Sequence, residues 1–140
     1  MHYIFDANLS HRLAEGLHIL EQGNDRTREP IVFIEHADKV EALGRGATDA
    51  EIIAYAGKTQ AVIISQDDDF KRIKSNMQLL KGLNVGYVLY KAPKKSGARY
   101  WEIVEAFIKG WKQLKTKITE TNFPFVLQVD RKGGISKIEL

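Results

Sequence analysis

Two rhythms of apolar residues alternate along the chain: short unbroken runs and longer stretches at helical spacing. Tyr3-Ile4-Phe5 is a short run closed by Asp6, which predicts a buried strand with an acid at its carboxyl end. Leu9, Leu13, Leu17 and Leu20 then recur at helical spacing, with Arg12, Glu15 and Glu21 on the other faces. The polar stretch from Gln22 to Glu29, closed by Pro30, predicts a loop, and Ile31-Val32-Phe33-Ile34 a second strand ending near Glu35 and His36. Gly44-Arg45-Gly46 marks a flexible connection. Thr48-Asp49-Ala50-Glu51 then has the spacing of a capping box, with Thr48 as N-cap, and opens a helix whose apolar side is Ile52, Ile53 and Ala56.

Ala61-Val62-Ile63-Ile64 predicts a third strand, with Ser65-Gln66-Asp67-Asp68-Asp69-Phe70 at its carboxyl end. A helix through Ile73, Met77 and Leu80 follows, then a fourth strand over 85–90. Strands alternating with helices are the pattern of an α/β fold with a largely parallel sheet and right-handed crossovers. After Pro93 comes the basic loop Lys94-Lys95-Ser96-Gly97, leading into a helix over roughly 98–117. Its apolar stripe is Val104, Phe107, Ile108, Trp111, Leu114 and Ile118, with Lys109, Lys112 and Lys115 away from the stripe's centre. The tail predicts two strands, 125–129 and 135–138, joined by a turn at Lys132-Gly133-Gly134 and appended to the core as a hairpin.

Length and composition narrow the class. At 140 residues with 44% hydrophobic content, the chain fits one globular domain, 1–140, with a core over about 1–92 and the helix and hairpin over about 98–140. Absence of cysteine excludes disulfides and thiolate metal sites. No apolar run approaches the ~20 residues that span a bilayer, and the N-terminus lacks a signal-peptide pattern. The expected address is the cytoplasm, with no membrane partner. The net charge of +3 conceals a division: residues 1–70 carry 6 Lys/Arg against 13 Asp/Glu, and residues 71–140 carry 15 against 5. An acidic half beside a basic half suits a cation pocket next to a surface for a polyanion, and an unevenly charged solubilising surface accounts for it equally well.

Ligands of open parallel sheets bind beyond the carboxyl ends of strands. Asp6 and the run Asp67-Asp68-Asp69 lie at such ends, and Asp49 opens a helix that returns to the same edge. Taken singly, Asp49 and the run also suit helix starts, where acids complement the dipole; Asp6 has no such propensity reason. Two carboxylates about 4 Å apart repel by about 4 kcal/mol at an effective dielectric of about 20, so a cluster requires protons or a cation. Oxygen ligands without cysteine suit Mg²⁺ or Mn²⁺, which polarise phosphate and orient an attacking water.

Three pieces carry a resemblance: Ile4-Phe5-Asp6-Ala7-Asn8-Leu9-Ser10, then 48–56 from Thr48-Asp49, then Val62-Ile63-Ile64-Ser65-Gln66-Asp67-Asp68-Asp69-Phe70. In order and spacing they are similar to the PIN-like ribonuclease family, in particular the small VapC-like toxins of bacterial and archaeal toxin–antitoxin pairs. The resemblance covers about the first 90 residues. It implies a three-layer α/β/α domain with a mainly parallel sheet, here extended by the long helix and hairpin. It implies Asp6, Asp49, Asp67 and Asp69 as catalytic, metal-binding acids, with Ser65 and Asn8 in support. It further implies an RNA substrate, a cognate antitoxin protein and a homodimer, the last being common in the family. Lys71, Arg72 and Lys74, extended by Lys94, Lys95 and Arg99, are candidate phosphate contacts. Two departures stand out. Ala7 occupies a position that is Glu in many small relatives, and Glu35, Asp38 and Glu41 do not clearly match a further family acid.

Other readings of the same residues are weaker or non-enzymatic. A haloacid-dehalogenase-type phosphohydrolase needs a second Asp where this chain has Asn8, and a receiver domain needs an acid pair after the first strand. A PIN-like module that binds or regulates without cleaving is the main rival. Trp101 and Trp111 are expected in the core of the long helix, with base stacking by either as the lesser reading. His36 is expected to make local hydrogen bonds rather than to ligate a metal.

Overall fold

A computed structural model describes residues 1–26, 31–66, 70–91 and 100–140, with Asp25, Arg26 and 70–72 described by backbone alone. In chain order the elements are β1 (His2–Phe5), α1 (His11–Gln22), β2 (Phe33–His36), α2 (Asp49–Thr59), β3 (Ala61–Gln66), α3 (Phe70–Gly82), β4 (Gly86–Tyr90), α4 (Tyr100–Glu120), β5 (Phe125–Val129) and β6 (Ile135–Ile138). Short 3₁₀ turns follow α1 and β2. The strands form one sheet in the order β2-β1-β3-β4-β5-β6. Every pair is parallel except β5 with β6.

Strand alternation decides which residues face which layer. Tyr3, Phe5, Val62, Ile64, Val88, Tyr90, Leu127 and Val129 pack under α1 and α4. Ile4, Ile63, Leu89 and Val126 take the opposite parity and pack under α2 and α3. The result is three layers, with helices on both faces of a sheet whose central strands carry near-continuous apolar runs, as burial on both faces favours. Carried one step past the end of β1, this parity places Asp6 with Ile4 on the α2/α3 side, and within β3 it places Ser65 there with Ile63.

Several expectations shift. The second strand begins at Phe33 rather than Ile31, because Phe33 is the first residue to pair, with His2. The terminal hairpin is not an appendage: β5 pairs in parallel with β4 from Gly86↔Phe125 to Tyr90↔Val129 and continues the main sheet. Gly86 allows that approach, since a Cβ there would lie 2.5 Å from the Phe125 ring. On α1, Leu20 is exposed and Glu21 takes the inward position. The actual stripe, Leu13, Ala14, Leu17 and Glu21, turns by one residue in the last turn. On α4, Val104, Phe107, Trp111, Leu114 and Ile118 are buried, whereas Ile108 is exposed. Trp101 is also not a core residue: it is 73% exposed, in the first turn of α4.

Glu21 is 3% exposed and accepts from four donors. These are Trp111 Nε1 at 2.7 Å, Lys115 Nζ at 2.8 Å, Asn24 Nδ2 at 3.0 Å and the Val32 backbone N–H at 3.3 Å. One carboxylate has about four lone-pair sites, so this set saturates it and ties α1 to α4 and to the lead-in of β2. Burial alone would raise its pKa. The bonds from Lys115, Trp111 and Val32 outweigh that and hold it below the usual carboxylate value.

Candidate functional site

The Asp6 backbone N–H donates to the Ile64 carbonyl at 2.9 Å, which extends the β1–β3 ladder by one residue and fixes Asp6 beside Ser65. Its side chain, in a residue only 5% exposed, is oriented from two directions. Oδ1 accepts the Ala7 N–H at 2.7 Å, and Oδ2 lies 3.1 Å from the buried Ser65 hydroxyl. Ser65 Oγ also lies 3.3 Å from Asn8 Oδ1. With one proton to give, the hydroxyl favours the charged acceptor, because bonds to carboxylates are roughly twice as strong as neutral ones. It then accepts from Asn8 Nδ2 at 3.1 Å.

Asn8 does a second job. Its amide donates to the Gln66 carbonyl at 2.5 Å and accepts the Gln66 N–H at 3.2 Å. A side-chain amide thereby pairs with the last residue of β3 as a neighbouring strand would, and it binds the β1 end loop to the point where the chain enters Asp67. The Leu9 N–H to Asp6 carbonyl bond, at 3.0 Å, closes the turn that carries Asn8 there.

Asp49 arrives from the other side. Thr48 caps α2, its Oγ1 accepting the Glu51 N–H at 3.2 Å. The reciprocal half of the box differs from expectation: the Glu51 carboxylate takes the Thr48 hydroxyl at 3.0 Å. Asp49 is thereby fixed as the first helical residue, where the dipole favours a carboxylate. Its Oδ2 accepts from Asn76 Nδ2 on α3 at 3.4 Å. Asp6 and Asp49 line one narrow cleft, with Asn76 and Tyr87 as further polar residues and Ile52, Ile53, Ile63, Ile73 and Leu80 as an aliphatic floor. Carboxylates above an aliphatic floor interact more strongly with a cation than they would in water.

Of the expected acids, Asp6 and Asp49 line the same cleft. Asp67 and Asp69 lie outside the described residues, between the end of β3 at Gln66 and the start of α3 at Phe70. Ser65 lies against Asp6, and Asn8 against Ser65 and Gln66. Lys74 is exposed on α3; Lys71 and Arg72 belong to its first turn, with their side chains outside the description. Lys94, Lys95 and Arg99 lie outside the described residues. Glu35 is held elsewhere, by His2 Nε2 at 2.7 Å and the Tyr55 hydroxyl at 3.0 Å. The latter bond raises the Tyr55 pKa, after the larger effect of burial. His36 makes the expected local bonds, to the Leu9 carbonyl at 2.6 Å and the Asp38 N–H at 3.2 Å. Asn76 was not foreseen. Its signal was an amide between Ile73 and Leu80, at helical spacing from both buried residues.

The donor set is one of hard oxygens and fits Mg²⁺ or Mn²⁺ in kind. Among the described residues no group of three His, Cys, Asp or Glu side chains is placed to hold a metal. Among the described residues the cleft holds two carboxylates, those of Asp6 and Asp49.

A mainly parallel sheet with helices on both faces defines an α/β domain of the class whose ligands bind beyond the carboxyl ends of the strands. Residues 1–92 match the family described as a PIN-like domain, and the chain belongs to that family. The fold is therefore of the nuclease type. No curated protein and no solved structure gives a significant match to the chain.

Proposed function

We propose that the protein is a metal-dependent endoribonuclease that hydrolyses RNA phosphodiester bonds, acting as the toxin of a toxin–antitoxin pair. The observation that carries this reading is Asp6, buried at the end of β1, oriented by Ser65 and the Ala7 N–H, and sharing a cleft with Asp49. On this reading Asp6, Asp49, Asp67 and Asp69 hold Mg²⁺ or Mn²⁺. The ion would supply positive charge at the scissile phosphate and orient the attacking water. Ser65 and Asn76 keep the two carboxylates from turning away, and Asn8 fixes the strand end from which Asp67 departs. Lys71, Arg72 and Lys74, with Lys94, Lys95 and Arg99 beyond, would receive the RNA backbone. Residues 1–140 then act as one domain, since β5 and β6 complete the sheet that residues 1–92 begin. A cognate antitoxin, a homodimer and a cytoplasmic location belong to the same proposal; no helix among the described residues is long and apolar enough to cross a membrane.

The test is incubation of end-labelled RNA with the protein and Mg²⁺ or Mn²⁺, beside EDTA controls and Asp6→Asn. Metal-dependent cleavage that disappears in Asp6→Asn is the expected result. A second reading, a PIN-like binding module without catalysis, is favoured by the count of only two carboxylates in the cleft among the described residues. Absence of cleavage of total cellular RNA, together with no metal binding by calorimetry, would replace the first reading by the second.

A further inference from the structure

On the opposite face of the sheet from the Asp6–Asp49 cleft, a groove of about 410 Å³ runs between α4 and the strand ends. Its floor crosses three adjacent strands in register, Gln66 of β3 opposite Tyr90 of β4 opposite Val129 of β5. Its rim carries Lys91 just past β4, and Arg131 and Lys132 in the β5–β6 turn. Lys109 on the α4 wall is paired with Glu105 at 2.8 Å. Two acids also line the groove: Asp130, engaged by the Lys132 and Gly134 N–H groups at 2.9 and 2.8 Å, and Glu102 on the α4 wall, against the four cations Lys91, Lys109, Arg131 and Lys132. The groove thus combines a cationic rim with a floor containing Ile103, Ile135 and the stacked Tyr90–Phe107 pair, whose ring centroids lie 4.0 Å apart.

We propose that this groove binds single-stranded RNA a few nucleotides from the scissile phosphate, so that α4 and the β5–β6 turn, together with the ends of β3 and β4, supply a substrate subsite. The inference rests on the nuclease reading for the term scissile, and its geometry is independent of it. Gln66 links the two places: it lines the groove, and Asn8 holds it one side chain away from Ser65 and Asp6. Neighbouring strands lie about 4.8 Å apart, so three steps from β1 to β5 set Asp6 and the β5 end about 14 Å apart. That span matches a short extended stretch of nucleic acid. A duplex would present phosphates to the rim and leave the apolar floor uncovered. A single strand offers phosphates and exposed base or ribose faces together.

The probe is a fluorescein-labelled oligouridylate titrated by anisotropy into the Asp6→Asn protein, which prevents turnover, across a salt series. Each phosphate contact on a single strand contributes about 0.7 to the slope of log K against log salt. Lys91→Gln with Lys132→Gln is therefore expected to flatten that slope by about 1.4, an affinity effect of about 25-fold between 1 M and 0.1 M salt. Lys58→Gln with Lys81→Gln, at the far ends of α2 and α3, is expected to leave it unchanged. An unchanged slope in the groove variant, or an equal loss in the far-end control, overturns the proposal. So does binding of polyglutamate in preference to RNA, which would make the groove a protein-docking site. Asp6-dependent cleavage with an unaltered groove slope defeats only the groove. The expected slope change without any cleavage by wild type defeats only the nuclease reading.

Discussion

Replacing Glu21 by Gln tests the largest polar commitment in the interior. The carboxylate is 3% exposed and accepts from Trp111, Lys115, Asn24 and Val32. Gln keeps the shape and one acceptor oxygen, but it removes the charge that offsets Lys115 and turns an NH₂ toward two of the donors. Removing one partner of a buried pair costs about 3–5 kcal/mol. The lower end applies here, because the Lys115 side chain is 14% exposed and lines a large open cavity into which its ammonium can turn. A loss of about 3 kcal/mol corresponds to roughly 10 °C in Tm for a domain of this size. Urea unfolding followed by circular dichroism measures it, with an unchanged m-value confirming that the native state is what changed. The pH dependence follows from the lowered pKa. A carboxyl depressed in the folded state contributes stability fully above its unfolded value near 4.5, and loses it as pH falls through the folded value. The difference between wild type and Glu21→Gln is thus expected to be constant near neutrality and to shrink below about pH 4.5. Glu21→Leu combined with Lys115→Met removes both buried charges but leaves the Trp111 Nε1 and Val32 N–H donors without an acceptor, so it should recover only part of the loss. A single variant within about 0.5 kcal/mol of wild type would show that the four bonds carry no net stability, and would refute the reasoning.

Ser65→Ala removes the hydroxyl that orients Asp6 and receives Asn8; groups holding metal ligands typically change metal affinity or activity by about 10–100-fold, so Mn²⁺ calorimetry should show a loss in that range, and an unchanged affinity would separate Ser65 from any metal. Asn76→Ala is expected to weaken Mn²⁺ binding less, its bond to Asp49 being the longer one at 3.4 Å, and an effect larger than that of Ser65→Ala would reverse the ranking. Thr48→Ala deletes the α2 cap and should cost about 1 kcal/mol in urea unfolding, whereas Thr48→Asn should be nearly neutral. Gly86→Ala sets a methyl 2.5 Å from the Phe125 ring and should cost about 1–3 kcal/mol, and a tolerated substitution would mean that β5 can shift away from β4.

How much of this was legible beforehand depends on what each residue's position had to satisfy. Asp6, Asn8, Asp49 and Ser65 were readable because strand ends and a helix cap are local events: each is announced by residues within a few positions of itself. The strand alternation that sends Asp6 and Ser65 to the same face is equally local. Glu21 and Leu20 were exchanged because helical spacing weighs apolar character alone, while burial at that position is decided by Trp111 and Lys115, about ninety residues away. Trp101 is expected in the core as part of the long helix, yet it is the second residue of α4 and its side chain is left exposed. The hairpin was taken as an appendage for a related reason. Nothing in 125–129 distinguishes a strand that pairs with its neighbour in sequence from one that also pairs with β4, and only Gly86, opposite Phe125, hints at it. That last pairing makes residues beyond the family segment part of the sheet's carboxyl edge, and so sets Arg131 and Lys132 in one groove with Gln66 and Lys91 of that segment.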